Sequence, residues 1–185
     1  MEFLKRSRLI LVILLVIPLT TFSQSFDDKV SAFQQSYINE ASGNYTKAIE
    51  NLKAVFEENS YEINLRLGYL CYLAGRFTES IAYYNKAIDI MPYSVEARLG
   101  FAYPSSAIGN YTQVLNQYEK ILEITPNNSI VLHRMGLIFY GREDYQKAEK
   151  HFQKVVNLYP FDYEALTMLA WTKFKLGKNL EAKTL

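Results

Sequence analysis

The 185-residue chain has one cysteine and two histidines. A lone cysteine excludes an intrachain disulfide and any cysteine-based zinc site, which needs ligands at paired spacing. Cys71 is then most simply a small buried hydrophobe. Neither sign of charge is in excess, with 20 Lys plus Arg against 19 Asp plus Glu. No global field therefore calls for nucleic acid or an anionic surface. The phosphate loops GxGxxG and GxxxxGK[ST] are missing, and so is a HExxH pair that could make zinc ligands of His133 and His151. Catalysis needs a nucleophile, base and orienter within reach of one another, or an open metal position. The sequence offers neither, so it predicts no catalytic, cofactor-binding or metal-binding residue and no enzyme within this chain.

An apolar stretch long enough to cross a bilayer, about 20 residues, is also absent from the N-terminus. The run Leu9 to Ile17 stops at Pro18. A basic start (Lys5, Arg6, Arg8), that apolar run, and then the small and polar TTFSQS are laid out as in a secretory signal. Residues 1–23 are expected to be such a leader, with cleavage after Ser23, and residues 24–185 the mature domain. That predicts an exported protein, periplasmic or secreted. The alternative is an uncleaved segment that anchors the chain at a membrane face.

What the sequence does contain is repetition. GNYTKAIENLKAVFEENS from Gly43, GRFTESIAYYNKAIDIMP from Gly75 and GNYTQVLNQYEKILEITP from Gly109 are three versions of one segment. A fourth, EDYQKAEKHFQKVVNLYP, starts at Glu143, and a fifth begins at Gly177. Ser36, Gly68, Ala102, Gly136 and Ala170 form a column of small residues through which helices can approach closely. Ala48, Ser80, Val114, Ala148 and Ala182 form a second on the following helix. Tyr45, Phe77, Tyr111 and Tyr145 lie seven residues before Leu52, Tyr84, Tyr118 and Phe152, which is two helical turns, so the two sets share a face. Pro92, Pro126 and Pro160 close three units, because proline stops a helix.

This periodicity resembles the tetratricopeptide repeat. Its consensus is matched best by Leu67, Gly68, Phe77, Ser80, Tyr84, Ala87 and Pro92. The resemblance implies an all-α, right-handed solenoid of antiparallel helix pairs, about four and a half repeats, with units near 27–60, 61–94, 95–128, 129–162 and a truncated 163–185. First helices would line a concave groove. The pattern predicts helices near 27–42, 45–58, 61–74, 77–91, 94–108, 111–125, 128–141, 144–159 and 162–176, with a stub from about 179. The first unit departs from the pattern, with Gln35-Ser36 for Leu-Gly and Ser60 for the closing proline.

The resemblance also assigns candidate binding residues. Positions one and four after the small column face the groove in this family, which here points to Tyr37, Tyr69, Tyr72, Tyr103, Tyr140, Trp171 and Phe174. Large, stiff, amphipathic side chains of this kind dominate binding interfaces at low entropic cost. The competing explanation is that they only pack between units. The wall formed by Phe33, Tyr37, Leu65, Tyr69, Leu99, Tyr103 and His133 is nearly free of cations, which argues against a clamp for a terminal carboxylate and for a protein or peptide segment with apolar or aromatic side chains.

Three further features carry expectations. Pro104 falls mid-helix, where it would kink the groove near its middle. Asn44 and Asn110, which begin N-x-[ST] sequons, are explained by turn chemistry as residues that tolerate the left-handed conformation. The short last helix would leave Trp171, Phe174, Leu176 and Leu180 incompletely covered, which predicts self-association through that end. The functional expectation is an exported, non-enzymatic interaction module, or alternatively the adaptor region of a longer exported enzyme or envelope-assembly factor.

Overall fold

The computed structural model describes the backbone of residues 18–185 and the side chains of residues 26–185. Residues 1–17, which hold most of the expected leader, lie outside the described residues. The described chain forms α1 (Pro18–Ala41), α2 (Tyr45–Lys53), α3 (Tyr61–Leu73), α4 (Phe77–Ile90), α5 (Val95–Ala107), α6 (Tyr111–Ile124), α7 (Ser129–Gly141), α8 (Tyr145–Leu158), α9 (Tyr163–Lys175) and α10 (Asn179–Lys183), with no strand among these residues. The first described helix spans Pro18–Ala41 and so extends on the N-terminal side of the start expected near residue 27.

Boundaries follow from local chemistry repeated at unit spacing. Ser60, Ser94, Asn128 and Asp162 cap α3, α5, α7 and α9, each side-chain oxygen accepting the backbone N–H three residues on. Helices α4, α6 and α8 end one residue before Met91, Thr125 and Tyr159. Each of these precedes a proline and is turned out of the helical region, to ψ of 82°, 83° and 81°. Unit one has no such proline, and α2 ends at Lys53, five residues before the expected end near 58. The physical reason is that this unit is two residues shorter than the next, with 32 residues from Gly43 to Gly75 against 34 from Gly75 to Gly109. Helix advances about 1.5 Å per residue and extended chain about 3.3 Å, so unwinding residues 54–60 lets a shorter stretch reach the start of α3.

The glycine turns also correct one expectation. Asn44 and Asn110 are not left-handed, with φ of −88° and −81°. They are N-caps that accept from the N–H groups of Lys47 and Gln113. The left-handed residue is the preceding one, Gly43 at φ 72° and Gly109 at φ 75°.

The columns read from the sequence pack as core. Ser36, Gly68, Ala102 and Gly136 are buried, as are Ala48, Ser80, Val114 and Ala148, and Leu52, Tyr84, Tyr118 and Phe152 fill the space between. Ser80 Oγ donates to the Gly68 carbonyl at 2.7 Å, tying α4 to α3 where both residues are small. Cys71 is fully buried beside Leu67 and Leu70, and burial pushes its thiol up to about 11, out of the reactive range. At the last pair the columns open, since Ala170 and Ala182 are only partly covered. Helix α5 runs unbroken through Pro104 to Ala107.

Candidate partner-binding groove

Helices α1, α3 and α5 are the first helices of successive units, and they enclose a concave groove of about 940 Å³. Phe33, Leu65, Leu99 and Gly100 line it together with Tyr37, Tyr69 and Tyr103, and Tyr84 reaches it from behind. Tyr61, Glu62 and Glu96, from the first turns of α3 and α5, form one rim. The three tyrosines stand one residue beyond the small column, so the same packing that buries Ser36, Gly68 and Ala102 turns Tyr37, Tyr69 and Tyr103 outward. Each remains 40% exposed or more.

The other four candidates are placed differently. Tyr72 stacks at a tilt on Tyr103 at 5.6 Å between ring centroids and lies 6.0 Å from Phe77, so it supports the groove wall from the side. Tyr140 packs edge-on against Tyr145 at 5.4 Å. Trp171 and Phe174 form their own perpendicular pair at 6.0 Å on α9, both exposed. The structure thus brings three of the seven into one groove, sets a fourth against it, and leaves three in the later units.

Two arginines that contact the groove tyrosines, Arg66 within the groove lining and Arg134 on α7 outside it, were missed by the sequence reading. Arg66 lays its guanidinium 3.9 Å from the Tyr37 ring centroid and pairs with Glu40. Arg134 stands 4.7 Å from the Tyr103 centroid and donates to the Tyr103 hydroxyl at 2.8 Å. The expected near-absence of cations is therefore corrected. The signal was available: both occupy the position two before the small column, three before the outward residue at 69 and 137, and thus on the same helical face.

Burial comes first in raising the phenol of Tyr61; the Ser94 hydroxyl, hydrogen-bonded to it at 2.7 Å, opposes that shift and the Glu96 carboxylate adds to it. Tyr69 is raised by burial and then by the charge of Glu40. Tyr61 and Tyr69 therefore act as neutral hydrogen-bonding and stacking groups near pH 7. Of the histidines, His133 stands edge-on to Phe152 at 5.5 Å and His151 stacks on Phe139 at 5.4 Å. Among the described residues no three His, Cys, Asp or Glu side chains converge as metal ligands.

A solenoid of small-residue helix pairs around an open groove is a protein-interaction architecture, and comparison with known proteins identifies its kind. Models of the tetratricopeptide repeat match residues 38–95 and 129–162, so the chain carries tetratricopeptide repeats. It is 26% identical over 136 residues to Protein CTR9 homolog of Arabidopsis thaliana, covering 71% of this chain and 12% of that protein. It is 24% identical over 149 residues to the TPR repeat-containing protein YpiA of Bacillus subtilis, covering 78% and 35%. A match of 25% identity over 157 residues to the peptidyl-prolyl cis-trans isomerase FKBP4 of Rattus norvegicus covers 74% and 34%. The chain thus spans about a third or less of the length of these relatives. Among solved structures, MamA protein superposes with a TM-score of 0.77 at 17% identity, over 85% of this chain and 87% of that one. A tetratricopeptide repeat protein from Parabacteroides merdae gives 0.77 at 21%, over 85% and 64%. These likenesses establish the solenoid fold.

Proposed function

We propose that this chain is a non-enzymatic scaffold that binds a segment of another protein in the groove between α1, α3 and α5, and that it acts outside the cytoplasm. The observation that carries the groove reading is the placement of Tyr37, Tyr69 and Tyr103 around one apolar concavity while remaining exposed. Helices hold these side chains, so little ordering entropy is lost on binding. Export rests on the leader-like layout of residues 1–23.

The test is pull-down with in-cell crosslinking on wild type and on the Tyr69→Ala, Tyr103→Ala double variant. Partners should be lost from the variant while its thermal unfolding stays close to wild type; partners retained in full would sink the groove reading. A mature N-terminus near Gln24 supports export with cleavage, and an intact Met1 on the exported protein supports the anchored alternative. A second reading, an adaptor region working beside another domain, is favoured by the small share of each relative's length that the match covers.

A further inference from the structure

The repeat contains its own template for what the groove receives. Arg66 and Arg134 occupy one column of the repeat, 68 residues or two units apart, and each lays its guanidinium over the tyrosine presented by the preceding unit. The unit between them has Gly100 in that column, and the corresponding tyrosine is Tyr69. From that position the chain supplies no cation to Tyr69, and Arg66, centred on Tyr37, lies 5.9 Å from the Tyr69 centroid. The groove of about 940 Å³ opens at this place, with Gly100, Tyr69, Tyr84 and Tyr103 among its lining.

We infer that the partner segment supplies an arginine, which docks on Tyr69 beside Gly100 with its charge received by Glu62 and Glu96. The inference rests on the reading of the groove as a docking site. Charge supports it. Glu62 and Glu96 line the groove, both are exposed, and neither is in an ion pair among the described residues. Glu62 accepts only from its neighbour Ser60, and Glu96 faces the Tyr61 phenol. Arg66, the cation that lines the same groove, is already balanced by Glu40. The Glu62 and Glu96 carboxylates of this groove are therefore left without a cationic partner among the described residues. A guanidinium is planar, weakly hydrated and able to stack on a ring while bonding carboxylates, whereas an ammonium is a compact, strongly hydrated point charge. Phe33, Leu65 and Leu99 supply the apolar surface for the side chains flanking that arginine.

The experiment is panning of a phage-displayed random 12-residue peptide library on the folded protein, followed by affinity measurement on synthetic copies of the enriched peptides. Enriched peptides should share an arginine at one fixed position, and citrulline there should weaken binding at least tenfold. The Glu62→Gln, Glu96→Gln variant should weaken the arginine peptide at least fivefold and leave the citrulline peptide unchanged, with its melting temperature as the folding control. Peptides that lack a shared arginine, or that bind the Glu62→Gln, Glu96→Gln variant as tightly as wild type, yet lose affinity with Tyr69→Ala, overturn the arginine inference and leave the groove reading standing. Peptides indifferent to Tyr69→Ala and Tyr103→Ala, or no enrichment at all, overturn both.

Discussion

A β-carbon placed on Gly100 would stand 2.2 Å from Cε1 of Tyr84, and one on Gly68 would stand 3.0 Å from Cδ2 of the same ring. Tyr84 is therefore clamped between α3 and α5 through two missing side chains. The ring belongs to α4, so one residue joins three helices and forms the back of the groove.

Gly100→Ala should consequently destabilise the fold by about 1–3 kcal/mol, the usual cost of overpacking a tight core. Urea unfolding would measure it. Tyr84→Leu removes Cε1 and Cζ, the two nearest of the colliding atoms, so the double variant Tyr84→Leu, Gly100→Ala should lose less than the sum of the singles. Strict additivity would show that the contact is relaxed by another route.

Glu143 is the one described non-glycine residue at positive φ, 61°, in the turn position that Gly43, Gly75, Gly109 and Gly177 occupy elsewhere. A β-carbon costs energy in that conformation. Glu143→Gly should raise stability by about 0.5–1 kcal/mol, less than the full steric gain because glycine also loosens the unfolded chain. A thermal melt shifted upward with the helix content unchanged is the expected result.

His151 links stability to pH. Burial, then the charges of Lys154 and Lys150, lower it from 6.5 to about 4. The unfolded chain therefore takes up a proton between about pH 6.5 and pH 4 that the folded chain refuses, and this residue's contribution to stability falls as pH drops through that window. His151→Gln should flatten the wild-type decline across it. Equal slopes in the two proteins, measured by chemical denaturation at several pH values, would rule the linkage out.

Lys173 holds the last helix. Its ammonium is buried between Glu149 of α8, at 3.0 Å, and Glu181 of α10, and Lys178 adds a bond of 2.8 Å to Glu149. Lys173→Ala should cost about 2 kcal/mol, below the 3–5 kcal/mol of a fully buried pair because Lys178 still neutralises Glu149. Hydrogen exchange in α10 should accelerate more than in α3 or α5, and uniform acceleration would contradict a local anchor.

Much of the groove was legible in the sequence, and the reason is periodicity. Tyr37, Tyr69 and Tyr103 were assigned through the resemblance to the tetratricopeptide repeat, and periodicity supplied the register that located the family's groove-facing columns in this sequence. Arg66 and Arg134 were not found, because the columns that define the repeat are apolar or small and a sparse charged column does not stand out from solvated surface. Tyr140, Trp171 and Phe174 share the groove columns but not the groove, since only α1, α3 and α5 enclose it.

The sequence by itself determined the helices, their pairing and most of their ends, because caps, prolines and glycines act within a few residues and recur at unit spacing. The early end of α2 and the anchoring of α10 by Lys173 were decided only in three dimensions, since each depends on where the neighbouring unit lies. The same holds for the deepest feature of the groove. Gly100 carries no special signal in the sequence, and its lack of a side chain is required only because the Tyr84 ring of α4 packs against it at the back of the groove.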